Sequence, residues 1–478
     1  EKVVENPGFV AFVADAKFQV RGALAPLPDG GLTLMVRDSP EDDWRPLLQV
    51  GQEDALTTFP LAFTLDGSAL WAVSSKDANT GRLVQIDCAT GEAEVIAEDP
   101  EYDVAGTRLH PDTREPQLVV FLRDRTEYQV LDPEIAPDLE LLQDLEPGDL
   151  TLLNEDDADR TWLAAYMNDD GPIRYYAYDR ESRSTTFLFE HQPALSTYTL
   201  AHMEPFTFTA RDGLELHGYL TFPPAGLRGP NAANGRGKLP AVINVHGGPW
   251  VRDAWGYDGE AQWLANRGYL AVQVNYRGST GYGKAFVNAG DREWGAKMHD
   301  DVIDAVKWVI EQGYAEPERI AVYGGSYGGY AALVGAAFTP DMFRCAVDIV
   351  GPSDLRTLIR SIPPYWAPMI AQFHTRVGNP DTEPDFLWSR SPLSRVEDIR
   401  IPILVAQGAN DPRVKQAEAE QIVAALKEKG IDHEYLLFPD EGHGFAKPEN
   451  RLRFYAAAER FLAKHLGGRH EPDDAAAG

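Results

Sequence analysis

The pattern of apolar and polar residues changes near residue 203. Before this point, short apolar runs alternate with turn sequences such as Asp29-Gly30 and Asp66-Gly67, which is typical of antiparallel β-strands. After it, the runs at 241–245 and 270–274 are almost entirely apolar, and helical stretches separate such runs. Strands of this kind are buried on both faces, so the second half predicts a mostly parallel, doubly wound sheet covered by helices.

The first half also contains a repeat. Strand-like runs end in an aspartate at four positions: Asp38, Asp87, Asp132 and Asp179. Their spacings of 49, 45 and 47 residues match a propeller blade of roughly 40–50 residues. Four blades are few for a closed propeller. We therefore expect an all-β propeller domain over residues 1–203, incomplete and with about four blades present. An ordinary succession of β-hairpins is the alternative, and the acidic segment 133–150 fits either a loop or a short helix.

A second domain is predicted over residues 204–470. It begins with a β-hairpin whose strands flank Asp212-Gly213. Further strands are expected at 320–323, 346–350 and 403–406, and helices at 300–312 and 417–429. A domain of roughly this size can bury its own core. The polar, small-residue tail 471–478 is expected to be disordered.

The composition excludes several classes of protein. Lys plus Arg number 44 and Asp plus Glu number 74, and the net charge of −30 argues against nucleic-acid binding. No run of 18 apolar residues is present, so no membrane helix is expected. Cys88 and Cys345 are too few for a disulfide framework or a cysteine zinc site, and we expect free thiols. The first residues do not resemble a secretion signal, which favours a cytoplasmic location.

The motif Gly324-Gly325-Ser326-Tyr327-Gly328 is the strongest chemical signal in the chain. It has the form G-x-S-x-G and lies between an apolar strand at 320–323 and a helix-prone stretch that begins at Tyr330. This strand–turn–helix context is that of the nucleophile elbow of an α/β-hydrolase, which presents the serine hydroxyl at the carboxyl edge of the sheet. A glycine-rich structural turn is the alternative. The context predicts that Ser326 is a nucleophile.

A serine hydroxyl is a weak nucleophile, and it needs a base that is oriented by an acid. In an α/β-hydrolase these follow the serine in the order acid, then histidine. Asp411 and His443 fit this order, and each lies in a loop after an apolar strand. Other acids, namely Asp432, Asp440 and Glu441, are too near His443 in sequence to lie at a separate strand end. The sequence therefore predicts Asp411 as the acid and His443 as the base.

The oxyanion of an acyl-transfer reaction needs two hydrogen-bond donors. The N–H of Tyr327, directly after the nucleophile, is one candidate. The loop His246-Gly247-Gly248-Pro249-Trp250 follows the strand 241–245 and is placed to supply the other. A metal-binding role for His246 is the weaker interpretation, because no second ligand stands at a suitable spacing.

Together these residues resemble the prolyl oligopeptidase family of serine peptidases. The resemblance rests on the triad candidates, the loop 246–250, the elbow at 324–330 and the run from Asn275 to Gly283. It covers the second half almost completely and is nearest to the acylaminoacyl-peptidase and dipeptidyl-peptidase branch. In that family a β-propeller precedes and caps an α/β-hydrolase domain, which agrees with the repeat in the first half.

The resemblance implies hydrolysis of short peptides through an acyl-enzyme, with Ser326, Asp411 and His443 as the catalytic triad. It also implies that the N–H of Gly248 pairs with that of Tyr327 as the oxyanion hole. No metal or organic cofactor is expected. Members of the family often assemble into homo-oligomers through the hydrolase domain, and this is the expectation here.

Four further residues are candidates for substrate binding: Arg413, Trp250, Tyr365 and Trp366. Arg413 stands two residues after the acid and matches an arginine beside the substrate in the acylaminoacyl-peptidase branch; a salt bridge at the rim is the alternative. Trp250 belongs to the candidate oxyanion loop. Tyr365 and Trp366 lie in an insertion that often forms the wall of the specificity pocket in this fold, where aromatic rings suit an apolar substrate side chain. Packing in the core is the alternative for either ring.

The chain departs from the family pattern in two respects. His246 stands where the prolyl oligopeptidase and dipeptidyl-peptidase branches carry a tyrosine, so the tyrosine hydroxyl donor is absent and strict cleavage after proline is not supported. The family usually has about seven blades, within the usual range for propellers. We therefore expect that roughly the first three blades are missing and that selection by substrate size is weakened.

Two other functions are compatible with the same residues. A carboxylesterase uses the same triad, and the motif does not separate ester from amide substrates. A chain that lacks a required element would be inactive and act only as a binding module. The predicted propeller favours the peptidase over the esterase, and the intact triad argues against a purely binding role.

Overall fold

The computed structural model describes residues 4–225 and 238–472. The chain divides into two compact units. The first unit contains Glu1–Tyr198 together with two short segments from later in the chain, Thr280–Asn288 and Pro368–Thr375. The second unit contains Thr199–Ser279, Ala289–Ala367 and Arg376–Gly478. The domain bounds predicted from the sequence remain predictions, and residues 473–478 of the predicted tail lie outside the described residues.

The first unit is built from four antiparallel sheets in chain order. The first sheet contains β1 (Ala11–Ala14), β2 (Val20–Pro26), β3 (Leu32–Val36) and β4 (Arg45–Val50). The second contains β5 (Phe59–Phe63), β6 (Ala69–Ser74), β7 (Arg82–Asp87) and β8 (Ala93–Ala97). The third contains β9 (Val104–Leu109), β10 (Pro116–Leu122) and β11 (Thr126–Val130). The fourth contains β12 (Asp149–Glu155), β13 (Thr161–Met167), β14 (Arg174–Asp179) and β15 (Ser184–Glu190).

The repeated aspartates mark equivalent positions in these sheets. Each lies at the end of the third strand or within two residues of it, because Asp38 follows β3, Asp87 ends β7, Asp132 follows β11 and Asp179 ends β14. Asp87 and Asp179 accept hydrogen bonds from backbone N–H groups in the turn that follows the strand. The period found in the sequence therefore reports an aspartate at the end of the third strand in each of the four sheets.

The third sheet has three strands, and a helix follows its last strand. The acidic segment 133–150 contains α1 (Ala136–Gln143), preceded by a short 3₁₀ turn at Pro133–Ile135. Ile135, Leu139 and Leu142 are buried in one cluster with Trp162 of the fourth sheet. The sequence allowed a loop or a short helix in this segment, and the structure shows the helix.

Two segments from the second half of the sequence belong to the first unit. In 280–288, the N–H groups of Gly281 and Gly283 both donate to Asp103 Oδ2 at 3.1 Å. Lys284 Nζ donates to Asp54 Oδ1 at 2.6 Å. In 368–375, the side-chain amide of Gln372 donates to the carbonyl of Gly30. These hydrogen bonds join residues about 180 to 340 positions apart in the chain.

One eight-stranded sheet forms the centre of the second unit. Its strands are β16 (Met203–Thr209), β17 (Glu215–Thr221), β18 (Leu239–Val245), β19 (Leu270–Asn275), β20 (Ala315–Gly325), β21 (Cys345–Ile349), β22 (Ile403–Gly408) and β23 (His433–Phe438). The strand order is 16-17-19-18-20-21-22-23. The first two strands run antiparallel and the other six are parallel.

Along the chain, helices follow each strand from β18 onwards, and the last helix comes after β23. They are α2 (Gly259–Asn266), α3 (Lys284–Asn288), α4 (Lys297–Glu311), α5 (Tyr327–Phe338), α6 (Leu355–Arg360), α7 (Ile370–Arg376), α8 (Pro384–Ser389), α9 (Gln416–Lys429) and α10 (Pro448–Leu466). Of these, α3 and most of α7 lie in the two segments that belong to the first unit. Every residue of β18, β19 and β22 is buried, as the apolar runs predicted. The predicted hairpin, parallel strands and alternating helices are confirmed.

The carboxyl ends of the parallel strands place the candidate site residues at one edge of the sheet. Ser326 follows β20, Asp411 follows β22 and His443 follows β23. Ligands and catalytic groups of open parallel sheets gather at this edge. Cys88 and Cys345 are buried free thiols, as expected. Within the described ranges, no helix has the length and apolar character needed to cross a membrane.

Candidate active site

Ser326 occupies a strained turn between β20 and α5. Its backbone has φ 60° and ψ −117°, a left-handed conformation that non-glycine residues seldom adopt. Its N–H donates to the carbonyl of Ile349 at 2.8 Å, and its carbonyl accepts the N–H of Tyr330 at 3.0 Å. At Gly328, a Cβ would lie only 2.0 Å from the carbonyl oxygen of Val245. The glycine is required for this close approach, and the turn has the geometry of a nucleophile elbow.

Asp411 and His443 are in direct contact. Oδ2 of Asp411 lies 2.7 Å from Nδ1 of His443. Oδ1 of Asp411 accepts the backbone N–H groups of Arg413 at 2.8 Å and Val414 at 3.0 Å. The carboxylate is fully buried, whereas the His443 side chain is 13% exposed. Because both carboxylate oxygens are held, Asp411 fixes the orientation of the imidazole and leaves Nε2 for chemistry.

The loop that carries His443 is tied by Glu441. The two carboxylate oxygens of Glu441 accept the N–H groups of Ala446 and Lys447, each at 2.9 Å. The side-chain amide of Asn450 donates to the same carboxylate at 2.8 Å and is the main cause that lowers the pKa of Glu441 below its ordinary value. Glu441 therefore stabilises the loop, and it is Asp411 that contacts the imidazole.

The third contact of a triad is open. In the part of the chain that the structure describes, neither Ser326 Oγ nor His443 Nε2 has a hydrogen-bond partner. Catalytic hydrogen bonds are often long without substrate and shorten in the reacting complex. The open contact is therefore compatible with a triad that closes when substrate binds.

The glycine-rich loop after β18 lies beside the nucleophile. A Cβ at Gly247 would be 3.5 Å from Cβ of Ser326 and 3.1 Å from the carbonyl of Gly325. Gly248 is exposed and has φ +111°, a region that favours glycine. On the other side of the serine, Tyr327 begins α5, where the first N–H groups of a helix lack partners within the helix. Gly247 thus lies against Ser326 on one side and Tyr327 follows it in the chain, and the roles of Gly248 and Tyr327 as oxyanion donors stay predictions.

His246 orients the peptide between Gly247 and Gly248. Its Nδ1 lies 2.8 Å from the carbonyl oxygen of Gly247. In a planar trans peptide the carbonyl and the following N–H point in opposite directions. A hydrogen bond from His246 to the Gly247 carbonyl therefore directs the N–H of Gly248 away from the imidazole.

The imidazole of His246 is itself held by two neighbours. Its ring is stacked on Tyr276, with the ring centres 4.4 Å apart, and its Nε2 lies 3.1 Å from Ser279 Oγ. Burial lowers the pKa of His246 to about 4. The ring is therefore neutral at physiological pH. Because a carbonyl oxygen can only accept, the contact with Gly247 assigns the remaining proton to Nδ1.

Three of the four candidates for substrate binding, Arg413, Trp366 and Tyr365, are in contact with one another. The Arg413 guanidinium lies over the Trp366 ring at 5.4 Å, and the Trp366 and Tyr365 rings meet edge to face at 6.0 Å. Arg413 and Tyr365 are exposed, and the backbone N–H of Arg413 binds the carboxylate of Asp411. Trp250 is partly buried in the oxyanion loop. The group forms a cationic and aromatic surface next to the acid of the triad.

Sequence reasoning missed the bonds around His246 and the loop-forming role of Glu441. In the sequence His246 stood out as part of the candidate oxyanion loop, as a weak metal-ligand candidate and as the replacement of a tyrosine, and Ser279 as part of a motif. A histidine next to two glycines was the available signal. Within the described part of the second unit, no three His, Cys, Asp or Glu side chains converge as metal ligands.

Comparisons with known proteins agree with this geometry. The model of the prolyl oligopeptidase family matches residues 255–469. Dipeptidyl aminopeptidase BIII of Pseudoxanthomonas mexicana is 47% identical over 467 residues, which cover 96% of this chain and 67% of that protein. Dipeptidyl peptidase family member 6 of Caenorhabditis elegans is 36% identical over 495 residues, with 98% and 67% covered.

Solved structures support the same fold. A puromycin-hydrolyzing peptidase of Mycobacterium tuberculosis superposes with a TM-score of 0.82 at 23% identity, over 99% of this chain and 72% of that one. The predicted fold class, an all-β propeller region before an α/β-hydrolase domain, is confirmed. With relatives matched over two thirds of their length, the chain belongs to the prolyl oligopeptidase family of serine peptidases.

Proposed function

We propose that the chain hydrolyses short peptides through an acyl-enzyme, with Ser326 as nucleophile, His443 as base and Asp411 as the orienting acid. The observation that carries this proposal is the 2.7 Å contact between Asp411 and His443. It lies at the same edge of the sheet as Ser326, which occupies the strained turn of a nucleophile elbow. Serine, acid and histidine follow three strands of one sheet in the order that this fold uses.

In the first half of the reaction, Nε2 of His443 takes the proton of Ser326 as Oγ attacks the scissile carbonyl carbon. The π electrons of the carbonyl move onto its oxygen, and the N–H groups of Gly248 and Tyr327 stabilise the resulting oxyanion. Asp411 stabilises the imidazolium. When the C–N bond breaks, His443 passes its proton to the leaving amine, and the acyl group stays on Ser326.

In the second half, water replaces the amine. His443 takes a proton from water, the resulting hydroxide attacks the acyl carbon, and the same N–H groups hold the second oxyanion. Collapse of this intermediate returns a proton to Ser326 and releases the carboxylic acid. These steps use only side chains, the backbone and water, and the prediction that no cofactor is needed stays a prediction.

The substrate that the comparisons favour is a peptide with a free N-terminus, cleaved two residues from that end. The relative named a dipeptidyl aminopeptidase is 47% identical over 96% of this chain. An acylamino-acid-releasing enzyme of Arabidopsis thaliana is 31% identical over 44% of it. Arg413 and Trp366 are the proposed contacts for the peptide, since they lie next to the triad acid on an exposed surface.

A carboxylesterase is the second candidate, because the triad and oxyanion hole also serve ester substrates. A purely binding role is disfavoured by the preserved contact between Asp411 and His443. Homo-oligomer formation through the hydrolase domain and a cytoplasmic location remain predictions. Light scattering of the purified protein would measure the first.

The test compares the wild-type protein with Ser326→Ala on three substrates: a free-amine dipeptidyl anilide, an N-acetyl aminoacyl anilide and a short-chain nitrophenyl ester. Ser389→Ala is the matched control, because Ser389 is an exposed serine whose Oγ binds only the Phe386 carbonyl of its own helix. We expect turnover of the free-amine anilide, a loss of roughly 10⁴-fold or more in Ser326→Ala, and no change in Ser389→Ala.

Other results would redirect the assignment. A wild-type rate retained by Ser326→Ala would refute the nucleophile. Ester turnover without amide turnover would favour the carboxylesterase. Preference for the blocked anilide would move the chain to the acylaminoacyl-peptidase type, with the same triad.

A further inference from the structure

A second carboxyl group is buried near the nucleophile, outside the triad. Asp348 lies in β21, and its side chain is completely shielded from solvent. Oδ1 accepts the N–H of Gly351 at 2.9 Å. Oδ2 is buried and has no hydrogen-bond partner among the described residues. A buried polar atom without a partner is uncommon and calls for a specific explanation.

Two glycines provide the space that this carboxyl fills. Gly329 stands three residues after Ser326 in the first turn of α5, and a Cβ there would lie 2.4 Å from Asp348 Oδ1. A Cβ at Gly351 would lie 2.3 Å from the same oxygen. Neither position could carry a side chain without displacing Asp348. The carboxyl is therefore wedged between the nucleophile elbow and the turn that follows β21.

That turn holds the backbone of the nucleophile. The carbonyl of Ile349 accepts the N–H of Ser326 at 2.8 Å. The next residue, Val350, has φ +47°, a conformation that is unfavourable for a β-branched residue. Strain of this kind persists only where the surroundings impose it. The hydrogen bond from Gly351 to Asp348 closes the turn on one side of Val350, and the bond from Ser326 to Ile349 closes it on the other.

We propose that Asp348 is a positioning residue for Ser326: its carboxyl fixes the turn 349–351 against the elbow and so fixes the backbone of the nucleophile. This inference rests on the proposed function, because it assigns a role relative to Ser326 as nucleophile. Asp348 does not touch the reacting atoms, and it acts through Gly351 and Ile349.

The surroundings keep the carboxyl uncharged. In the adjacent strands its partners in register are Gly324 of β20 and Val405 of β22. Helix α5 brings Gly329 next to it, and Tyr330, whose phenol stays protonated because burial raises its pKa. None of these four residues carries a charge. Burial raises the pKa of Asp348 to about 8, and the bond from Gly351 offsets this only in part.

The test measures how fast a fluorophosphonate labels Ser326, per folded molecule, in the wild-type protein, Asp348→Ala and Asp348→Asn. Glu459→Ala is the control for loss of a buried carboxyl elsewhere, because Glu459 lies on α10 and binds Arg267. A nucleophile displaced by about 1 Å can lose roughly 100-fold in rate, and a smaller shift loses less, so a loss of roughly 10- to 100-fold is the scale to look for. We expect this loss in Asp348→Ala at pH 7, in kcat and not in KM for the anilide. Glu459→Ala should label at the wild-type rate.

Asparagine provides the rescue. It keeps an acceptor for the N–H of Gly351 and cannot ionise, so Asp348→Asn should recover most of the rate lost in Asp348→Ala. The pH profile is the second readout. Wild-type labelling should fall as the pH rises above about 8, where the carboxyl becomes charged without a counter-ion, and Asp348→Asn should not show this fall.

Each outcome separates the two proposals. If the wild-type protein is not labelled at Ser326, the proposed function fails. If it is labelled and Asp348→Ala reacts at the wild-type rate, or Asp348→Asn reacts as slowly as Asp348→Ala, only the positioning role is refuted. If Asp348→Ala does not fold, the pH profiles decide, and an identical alkaline fall in Asp348→Asn and wild type refutes the role.

Discussion

A buried acid of the first unit is paired with cations, whereas a buried acid beside the nucleophile elbow of the second unit has none among the described residues. Asp159, between β12 and β13, accepts the indole N–H of Trp162 at 2.7 Å and the guanidinium of Arg108 at 2.8 Å. Arg180 binds the same carboxylate and also Asp138, at 2.9 Å. Asp348 in β21 receives one backbone N–H and no cation among the described residues.

The difference reflects what each region must do. Ion pairs and hydrogen bonds satisfy a buried charge in a region that needs only to hold its shape. Next to the nucleophile elbow, a cation at the position of Asp348 would place a formal charge beside the first turn of α5, whose N–H groups include a proposed donor to the oxyanion. An uncharged carboxyl there gives an acceptor without a formal charge. The cost is a raised pKa and a stability that depends on pH.

The largest effect on stability is expected when the paired acid, Asp159, loses its charge. In Asp159→Asn, Arg108 and Arg180 each lose one carboxylate, while asparagine still tolerates the positive φ of 48° at this position. Leaving a buried charge partly uncompensated is expensive, so the free energy of unfolding should fall by at least about 2 kcal/mol. Chemical denaturation followed by circular dichroism measures this.

Asp157→Asn is the matched control, because Asp157 is exposed in the same turn. Its stability should lie within about 0.5 kcal/mol of the wild-type value. An equal loss in both variants would mean that the ion-pair cluster around Asp159 adds nothing beyond an ordinary surface turn.

The second prediction concerns the unpaired acid. In the unfolded chain Asp348 ionises near its ordinary pKa, whereas in the folded protein it stays protonated up to about pH 8. The folded state therefore binds more protons in between, and this residue makes the protein lose about 1.4 kcal/mol of stability per pH unit as the pH rises. The free energy of unfolding of Asp348→Asn, relative to that of the wild-type protein, should therefore rise by about 1.4 kcal/mol per pH unit from pH 5 to pH 7.

Stability curves at several pH values measure this slope, and it should level off above about pH 8. The paired Glu459→Gln variant is a control for any general effect of an added amide, since its difference from wild type should not grow in this way. A difference between Asp348→Asn and wild type that is constant with pH would show that Asp348 is already ionised in the folded protein.

The two units also differ in how much their sequences revealed. Apolar runs in the second unit correspond to strands buried on both faces, such as β18 and β22, because burial and strand formation give the same signal there. In the first unit the period of about 47 residues was visible because an aspartate recurs at the end of the third strand of each sheet. In both units a local signal, apolar runs in one and a recurring aspartate in the other, was sufficient to predict the strands.

Features that depend on distant residues were not predictable. Whether 133–150 forms a loop or a helix depends on Trp162 and its neighbours, against which Leu139 and Leu142 pack. The association of 280–288 with the first unit depends on Asp103 and Asp54, about 180 to 230 residues earlier. No local pattern encodes such partners, and long-range contacts override local preference.

The same limit applies to the candidate site. The triad residues could be proposed from motif and order, since each follows a recognisable strand. The bond from His246 to the Gly247 carbonyl and the position of Asp348 beneath Gly329 could not. The first depends on the local conformation of the loop and the second on the close approach of β21 to α5, and the sequence contains only the glycines that permit them.

The smallest expected effect concerns the edge strand β15, where the first unit differs most from the buried strands of the second. Leu188 is 44% exposed there, between two exposed phenylalanines, whereas Leu404 in β22 is fully buried. Leu188→Lys should change the free energy of unfolding by less than about 0.5 kcal/mol, whereas Leu404→Ala should cost about 2–5 kcal/mol. Lysine on an exposed edge also opposes pairing with another chain, so light scattering at rising concentration should show less association. A loss above 1 kcal/mol in Leu188→Lys would mean that this strand is covered in solution, and the contrast between the two units would then apply only to their buried acids.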